Sequence, residues 1–304
     1  MSRLGLDIGG TKVALRAEAG ERVAESVFHW RDTGSAADDL ADLYAAVRAA
    51  LSDWPEDVTA VGVAVPATCD ADGIVRTWPN RPTWTGLDLS GALQRLFPTS
   101  RVAHADDGDL AALAEARAAG RENVLYIGVG TGVGGGIVAA GRLWPDRGSC
   151  EVGHLVVDLA GRRCTCGRRG CVQAAASGPA ILRRAAELRG ADVPHQDLTG
   201  AVAAGASWAV TALREAAHAL AVAVVGICEL AHPDVVVLGG GVTARTPELL
   251  SLVGAETRAL SRPGVDLPPL RPALLGDLSS LRGALVLAEL IDTGAELSAA
   301  AATP

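Results

Sequence analysis

The most concentrated set of reactive side chains in the sequence is one histidine and three cysteines. His154 is followed by Cys164, Cys166 and Cys171, so four potential metal ligands lie within eighteen residues. One imidazole and three thiolates form closed tetrahedral zinc sites, which keep no position open for a substrate. Unrelated free thiols are the alternative, but cysteines clustered this tightly in a chain of 304 residues favour a metal over a disulfide framework. The set therefore predicts a structural zinc site.

A glycine turn near the N-terminus has the residue types that bind a nucleotide phosphate. Its candidate contacts are Asp7, Gly9, Gly10, Thr11 and Lys12. Glycines let backbone amides approach a phosphate because no Cβ intervenes, the threonine adds a hydroxyl donor, and the aspartate could hold Mg²⁺ through water. An ordinary hairpin turn is the alternative. The pattern is not a Walker A loop, which requires Gly-Lys-Ser/Thr before a helix.

A second glycine run, at residues 128–136, could contact the same nucleotide. Its candidate contacts are Gly130, Thr131, Gly132 and Gly134. Six glycines in nine positions lose much chain entropy on ordering, so a close backbone approach must compensate, and a β- or γ-phosphate is the simplest partner. A glycine-rich corner of a sheet is the alternative.

A third run, Gly239, Gly240 and Gly241, follows an apolar strand. A strand that ends in glycines before a helix suits an adenine or ribose lying on the backbone. Tight packing of a strand against a helix explains the same residues equally well.

Three acidic residues could take part in catalysis or in sugar binding. Asp106 and Asp107 lie where a predicted strand meets a predicted helix. An aspartate there could accept the proton of an attacking alcohol, and the helix dipole would keep it ionised; N-capping is the alternative role. Glu151, three residues before His154, could accept hydrogen bonds from sugar hydroxyls, although alone it would pass as a surface charge.

Most of these residues lie at the ends of predicted strands. Apolar runs bounded by glycine or proline predict strands at 4–8, 13–17, 22–29, 58–65, 101–105, 124–129, 134–139 and 234–238. Helical spacing of apolar residues predicts helices at 36–51, 107–119, 178–188, 207–230 and 281–291. The remaining predictions are a loop-rich segment at 77–98, a metal loop at 161–171 and a frayed tail after residue 293.

The order strand, glycine turn, strand occurs twice, about 120 residues apart. This weak repeat predicts two related β/α lobes. Residues 1–105 with the C-terminal helix 281–304 would form the smaller lobe, and residues 106–280 the larger. No long linker separates them, so the site is expected in a cleft between the lobes.

The composition excludes several partners. The net charge of −8 and the pI near 5.3 argue against a nucleic acid bound through its phosphates. The apolar stretch 216–230 is too short to cross a membrane and contains His218 and Glu229. No signal-type segment precedes the first strand, which predicts a cytoplasmic protein without a membrane partner.

Together these motifs resemble the ROK family of bacterial sugar kinases and sugar-responsive repressors, within the actin-like ATPase superfamily. The resemblance covers nearly the whole chain. Residues 7–12 and 130–136 look like the family's phosphate loops, 239–241 like its adenosine motif, and 151–171 like its sugar-and-zinc segment, which is the most specific match. The resemblance implies a two-lobed α/β fold of the actin-like, ribonuclease H-like type, Mg²⁺ with ATP, and a homodimer.

The resemblance also implies roles for single residues. Asp107 would be the general base of an ATP-dependent kinase acting on a primary hydroxyl of a small polyhydroxylated substrate. Glu151 and His154 would orient the sugar, His154 through the ring nitrogen that does not bind zinc. Asn80 looks like a position near the sugar entrance.

Three positions depart from the family pattern. Asp106 stands where the family has Asn, Gln173 replaces a Glu that contacts the anomeric end of the sugar, and Ala67 replaces Gly. A glutamine can donate to a carbonyl, whereas a glutamate only accepts. Unpaired buried polar groups cost about 1–3 kcal/mol each, so such changes alter substrate choice. One substrate that fits is a C7-cyclitol ketone such as a valiolone, phosphorylated at its 7-hydroxyl; a hexose such as glucose, phosphorylated at its 6-hydroxyl, is the other.

Three other interpretations stay open. Family repressors carry a helix-turn-helix before the first phosphate loop, for which this chain leaves no room. A sugar-binding protein without kinase activity is the second, although Asp107 and both phosphate-type loops are present. Polyphosphate could replace ATP as donor, but the adenosine-type glycine run favours a nucleotide.

Overall fold

The computed structural model describes residues 1–31, 34–145 and 148–294. Its strands are β1 Ser2–Ile8, β2 Lys12–Ala19, β3 Arg22–His29, β4 Val58–Ala64, β5 Thr68–Cys69, β6 Val75–Thr77, β7 Arg101–Ala105, β8 Val124–Val129, β9 Val133–Ala139, β10 Arg142–Trp144, β11 Val235–Gly239 and β12 Leu270–Pro272. Its helices are α1 Ala36–Ala50, α2 Leu89–Leu96, α3 Asp107–Ala119, α4 Val172–Ala176, α5 Gly178–Arg189, α6 His195–Ala203, α7 Ser207–Ala231, α8 Gly240–Arg245, α9 Glu248–Leu260 and α10 Ser279–Thr293. Short 3₁₀ helices cover Pro82–Trp84, Val152–His154 and Gly276–Leu278. The predicted α/β class is confirmed.

Dense internal contacts divide the chain into two units. Unit 1 is Met1–Ala114, Arg142–Ser149 and Leu278–Pro304, and unit 2 is Glu115–Gly141 and Cys150–Asp277. These units are defined by contacts within the chain, whereas the predicted lobes are defined by their closure over a substrate. The boundaries of the lobes therefore stay a prediction.

The sheet of unit 1 has the order β3-β2-β1-β4-β7. β1 pairs with β2 in antiparallel and with β4 in parallel orientation, and β4 is parallel to β7. Helix α10 packs very closely on this sheet, since a Cβ added to Gly62 would lie 1.9 Å from the carbonyl oxygen of Ala284. Because β1, β4 and β7 are parallel, their carboxyl ends meet at one edge of the sheet.

The sheet of unit 2 repeats this pattern. Within the unit the order is β9-β8-β11-β12, in which β8 and β9 are antiparallel while β8, β11 and β12 are parallel. This order matches β2-β1-β4-β7 strand for strand. The internal repeat predicted from the two glycine turns is thus confirmed at the level of topology.

Helix α3 carries the candidate base at its N-terminus and is anchored along its length. A Cβ added to Gly283 would lie 2.0 Å from the carbonyl oxygen of Leu110, so α10 touches the helix backbone. Further along, the fully buried carboxylate of Glu115 accepts the backbone N–H groups of Leu274 at 2.8 Å and Leu275 at 3.0 Å. The contact with α10 holds the first turn of α3, which begins at Asp107.

Most predicted elements are present, but one prediction was wrong. The segment 77–98 was expected to be loop-rich, yet it contains α2. The Asp88 carboxylate caps this helix by accepting the N–H of Gly91 at 2.7 Å, which offsets the weak helical pattern of a segment rich in proline and tryptophan. Helices α4, α6 and α9 and strands β5, β6, β10 and β12 were not predicted. The predicted frayed tail falls on 295–304, outside the described residues.

Among the described residues, one helix is long and apolar enough to span a membrane by length and composition. α7 has 25 residues and a mean hydropathy of 1.5, and 56% of its apolar window is buried. It extends beyond the stretch 216–230 from which a span was excluded. Its buried side chains, among them Leu213, Leu220 and Val224, belong to the core of unit 2. Core helices of soluble proteins meet the same criterion, so the finding is weak evidence for a span.

Candidate functional site

Asp7, the candidate magnesium ligand, and Asp107, the candidate base, lie in unit 1 and interact electrostatically. Asp7 ends β1, and Asp107 opens α3 directly beyond β7. Burial of the Asp7 carboxyl, and next the nearby carboxylate of Asp107, raise the pKa of Asp7 to about 7, against an opposing effect of Lys12. Two like charges in a partly buried place favour a bound cation or proton. The pair therefore suits the magnesium and general-base roles expected from the sequence.

Asp106 has the alternative role of N-capping helix α3, and it also lies next to the candidate base Asp107. Its carboxylate accepts the N–H of Gly108 at 2.9 Å, and its carbonyl accepts the N–H of Leu110 at 3.0 Å. Asp106 thus caps α3, which leaves Asp107 in the first turn at the positive end of the helix dipole. The cap also fixes the backbone from which the Asp107 side chain projects.

The first glycine turn joins β1 to β2. Gly9 N–H donates to the carbonyl of Lys12 at 3.0 Å, which closes the turn, and Thr11 and Lys12 are exposed. A Cβ added to Gly10 would lie 2.7 Å from the Cβ of Asn80. The structure therefore brings Asn80 against the turn, although these residues are far apart in sequence.

The second glycine turn joins β8 to β9 and is held on one side by backbone hydrogen bonds. Gly130 N–H donates to the Gly132 carbonyl at 2.9 Å, and Gly178 N–H donates to the Gly130 carbonyl at 2.8 Å. Nothing lies within 4 Å of a Cβ added to Gly130 or Gly134. One side of the turn is thus anchored and the other has room for a ligand.

Three predicted substrate contacts converge next to this turn, at Val133. The Gln173 Oε1 accepts the Val133 N–H at 3.1 Å. A Cβ added to Gly153 would lie 1.9 Å from the Val133 carbonyl oxygen, so the 3₁₀ turn that carries Glu151 and His154 packs on the same residue. Unit 2 thereby places Glu151, His154 and Gln173 beside the second glycine turn.

The orientation of the Gln173 amide follows from this contact. A backbone N–H can only donate, so the side-chain atom that faces Val133 is oxygen. The Nε2 group is then the part of the Gln173 amide that is left to donate to another partner. A glutamate in its place would offer an acceptor.

The third glycine run has a structural explanation. Gly240 adopts a φ of +86°, and a Cβ there would lie 2.4 Å from the Val129 carbonyl oxygen. A Cβ on Gly239 would lie 2.9 Å from the ring of Tyr126. Close packing of β11 and α8 on β8 therefore requires both glycines, and the adenosine role of Gly239, Gly240 and Gly241 stays a prediction.

The predicted metal ligands are brought together. One ligand atom from each of His154, Cys164, Cys166 and Cys171 lies within 4.8 Å of the others. The His154 Nδ1 is 3.7 Å from the Cys164 Sγ, and the sulfurs of Cys166 and Cys171 are 3.6 Å apart. Zinc–sulfur bonds of about 2.3 Å in a tetrahedron would separate two sulfurs by about 3.8 Å. The four residues fit a zinc ion, and His154 would keep Nε2 for another partner.

The surroundings of Cys166 favour the thiolate that binds metals. Desolvation raises the pKa of this exposed thiol, but backbone and side-chain hydrogen bonds from Arg168 and contacts with Cys164 and Cys171 outweigh it and lower the pKa to about 6. Cys69, Cys150 and Cys228 lie outside the cluster.

Two arrangements around these residues were not predicted from the sequence. Gln173 was expected to contact the substrate, but its hydrogen bond to the second glycine turn was not. The carbonyls of the first turn accept hydrogen bonds from the side chains of Trp30 and Arg81, and Arg81 in turn binds the buried Asp39. Trp78 and Trp84 on either side of Arg81 were the only local signal, because the partners Trp30 and Asp39 are distant in sequence.

Comparisons with known proteins agree with these motifs. The family model described as "ROK family" matches residues 3–290. The kanosamine kinase of Amycolatopsis mediterranei (strain S699) is 53% identical over 294 residues, which cover 96% of this chain and 97% of the relative. A ROK hexokinase structure from Thermus thermophilus has a TM-score of 0.86 and 31% identity, and covers 97% of this chain and 100% of its own. A ROK glucokinase structure from Streptomyces griseus, in complex with glucose and AMPPNP, has a TM-score of 0.80 and 26% identity, with coverages of 95% and 99%.

Proposed function

Because the chain belongs to the ROK family and is an ATP-dependent sugar kinase with the actin-like ATPase fold, we propose that it phosphorylates the primary hydroxyl of a hexose or hexose-like substrate. The observation that carries the proposal is the pair Asp7 and Asp107, interacting carboxylates beside a glycine turn. A sugar hydroxyl is a weak nucleophile until a base accepts its proton. Asp107 is the candidate for that base.

The proposed transfer is a single displacement. The hydroxyl oxygen of the substrate attacks the γ-phosphorus while its proton passes to a carboxylate oxygen of Asp107. The new oxygen–phosphorus bond forms as the bond between the γ-phosphorus and the β,γ-bridging oxygen breaks, and ADP leaves. Mg²⁺, when bound, neutralises charge on the triphosphate, and Asp7 would hold it, in accord with its place beside Asp107.

The remaining site residues are proposed to bind and orient the reactants. The two glycine turns would donate backbone N–H groups to the phosphates. Glu151 would accept from sugar hydroxyls, and His154 would offer Nε2 while Nδ1 faces the cysteines. The zinc ion is proposed to be structural, since all four positions are taken by protein ligands.

Kanosamine, an aminohexose, is the first substrate to test. The relative that is 53% identical is a kanosamine kinase. A carboxylate at position 106, where the family has an amide, accepts only, and a protonated amine is a donor only. We therefore expect Asp106 to accommodate or contact the amino group of kanosamine. The hydroxyl that is phosphorylated should be the primary 6-hydroxyl.

A C7-cyclitol ketone remains a second candidate because of Gln173. Its Nε2 can donate to an acceptor at the position where a glutamate would accept from the anomeric hydroxyl. A ring carbonyl is such an acceptor. Glucose, which presents a hydroxyl there, is expected to be the poorer substrate of the two.

The test is ADP release with Mg-ATP over a panel of acceptors. The panel is kanosamine, glucose, N-acetylmannosamine, and C7 cyclitols with and without the ring ketone, with polyphosphate replacing ATP in a parallel series. Asp107→Asn is run beside the exposed control Asp72→Asn. Turnover on one acceptor that Asp107→Asn removes and Asp72→Asn keeps supports the proposal. Binding of sugar and nucleotide with no turnover on any acceptor would favour a regulatory sugar-binding protein.

A further inference from the structure

We infer that Trp30, Arg81 and Asp39 form a support that orients the first glycine turn for phosphate binding. The inference rests on the proposed role of this turn. It assigns a positioning function to three residues that neither touch the reacting atoms nor belong to the predicted site.

Three consecutive carbonyls of the turn accept hydrogen bonds from the support. The indole Nε1 of Trp30 donates to the Gly9 carbonyl at 2.8 Å, and the guanidinium Nε of Arg81 donates to the Gly10 carbonyl at 3.2 Å. The backbone N–H of Trp30 donates to the Thr11 carbonyl at 3.2 Å. No peptide of the segment from Gly9 to Thr11 is left to rotate freely.

Fixing these carbonyls also fixes the N–H groups. In a trans peptide the C=O of one residue points opposite to the N–H of the next. Holding the Gly9 and Gly10 carbonyls against the support therefore aims the N–H groups of Gly10 and Thr11 away from it. Those are the groups that a phosphate would accept from. The support thus sets the donors before the nucleotide arrives, which lowers the entropy lost on binding.

The support is itself rigid. A carboxylate oxygen of Asp39, only 1% exposed, accepts from the Arg81 guanidinium at 2.5 Å and from the Trp84 indole at 2.8 Å. The guanidinium lies 4.2 Å from the centroid of the Trp30 ring, and the Trp30 and Trp84 rings meet edge to face at 6.0 Å. Arg81 can satisfy both partners because its guanidinium donates from two separate nitrogens, Nε to Gly10 and a terminal nitrogen to Asp39, whereas a lysine donates from a single nitrogen.

The arrangement also links the turn to the sugar entrance. Asn80 precedes Arg81 in the chain and packs on Gly10. Movement of Arg81 would shift Asn80. A change in the support is therefore expected to weaken nucleotide affinity more than sugar affinity.

The mildest test is Trp30→Phe, which removes one donor and keeps the aromatic packing. We expect the Kd for Mg-ADP, measured by calorimetry, to rise roughly 3- to 10-fold, as for loss of one hydrogen bond. Arg81→Lys should act in the same direction, because it keeps the charge opposite Asp39 but not both donated bonds. The KM for kanosamine or glucose should change less than 2-fold in Trp30→Phe.

A matched control lies next in the chain. Arg31 is exposed and pairs with Asp42 on the surface. Arg31→Met should leave the Kd for Mg-ADP unchanged, which separates the support from the general charge of this region.

The outcomes distinguish the inference from the proposed role of the turn. If Gly10→Ala weakens Mg-ADP binding while Trp30→Phe and Arg81→Lys do not, the turn binds phosphate but the support does not position it, and the inference is wrong. If Gly10→Ala has no effect, the phosphate role of the turn itself is wrong and the inference with it. A parallel loss of nucleotide affinity, sugar affinity and thermal stability in Trp30→Phe would mean a purely structural role and would also overturn it.

Discussion

The two glycine turns occupy equivalent places in two equivalent sheets, yet they are held by different means. Each joins the antiparallel pair that begins the sheet pattern of its unit. The turn after β1 is held through its carbonyls by the side chains of Trp30 and Arg81. The turn after β8 is held by the amide of Gln173 and by the backbone of Gly178.

The difference shows what a repeat conserves and what it leaves free. Strand order and the glycine turn recur, because a phosphate needs backbone N–H groups without an intervening Cβ. The supports do not recur, since any donor or acceptor at the right place serves. In unit 2 the turn is held by Gln173, which lies in α4. The predicted metal ligand Cys171 directly precedes this helix. The second turn should therefore depend on zinc, and the first should not.

The largest effect is expected from the carboxylate beside the first turn. Asp107→Asn removes the proposed base while keeping the size and the helix position of the side chain. We expect kcat to fall by about 10³-fold, within the range for general-base catalysis, with the Kd for Mg-ADP changed less than 3-fold. Steady-state ADP release and calorimetry measure the two quantities. A kcat within 10-fold of the wild type would exclude Asp107 as the base.

Loss of the metal is expected to act on unit 2. Cys164→Ser removes one ligand of the cluster, and we expect the zinc content to fall and the Tm to drop by on the order of 10 °C, corresponding to a few kcal/mol. Elemental analysis and calorimetric melting measure both. Cys228→Ser, outside the cluster, is the control and should keep full zinc content. Equal Tm values with and without metal would contradict a structural zinc.

Gln173 allows the support and the substrate contact of the second turn to be separated. Gln173→Glu keeps an acceptor for the Val133 N–H but replaces the outward donor, whereas Gln173→Leu removes both. We expect Gln173→Glu to lower kcat/KM for the ketone cyclitol by about 10-fold without changing the KM for ATP, and Gln173→Leu to raise the KM for ATP by about 2- to 10-fold. Better turnover of glucose by Gln173→Glu with the ketone unaffected would remove the basis of the carbonyl hypothesis.

The last prediction concerns pH and the first turn. The pKa of Asp7 is raised in the folded protein to about 7, above its ordinary value of 3.8, so the folded state holds this proton at pH values where the unfolded chain has lost it. The stability that this proton provides is present at low pH and lost as the pH rises through about 7. In Mg²⁺-free buffer we expect Asp7→Asn to be more stable than the wild type at pH 8, by about 2 kcal/mol, roughly half of what the full shift allows because the side chain is not fully buried.

The control for this prediction is the pH profile. The difference in Tm between Asp7→Asn and the wild type should grow from pH 5 to pH 8. A difference that stays constant over this range would show that Asp7 does not titrate there.

The elements that carry apolar periodicity could be predicted from the sequence, and the polar supports could not. β1, β4 and β8 are short apolar runs bounded by glycine or proline, and α3 and α7 have helical spacing, so their local signals agree with the fold. Helix α2 was missed because its segment follows prolines and tryptophans, and its stability comes from the Asp88 cap and from burial of Leu89 and Leu93.

The site residues divide in the same way. The convergence of His154, Cys164, Cys166 and Cys171 could be predicted because their types and spacing are typical of a zinc site. Asp39 and Arg81 lie 42 residues apart and look like solvated charges in the sequence, so only the fold shows that they pair. The glycines at 239–241 are a different case, because packing against β8 explains at least two of them and their adenosine role stays a prediction.

The most direct test of the account is to identify the product. Wild-type protein and Asp107→Asn would each be incubated with Mg-ATP and kanosamine, and the product examined by ³¹P and ¹H NMR. The account predicts a phosphate ester on the primary hydroxyl with one ADP released per ester, and no ester with Asp107→Asn. An ester on another hydroxyl, the same ester formed at the same rate by Asp107→Asn, or ADP release without an ester would contradict it.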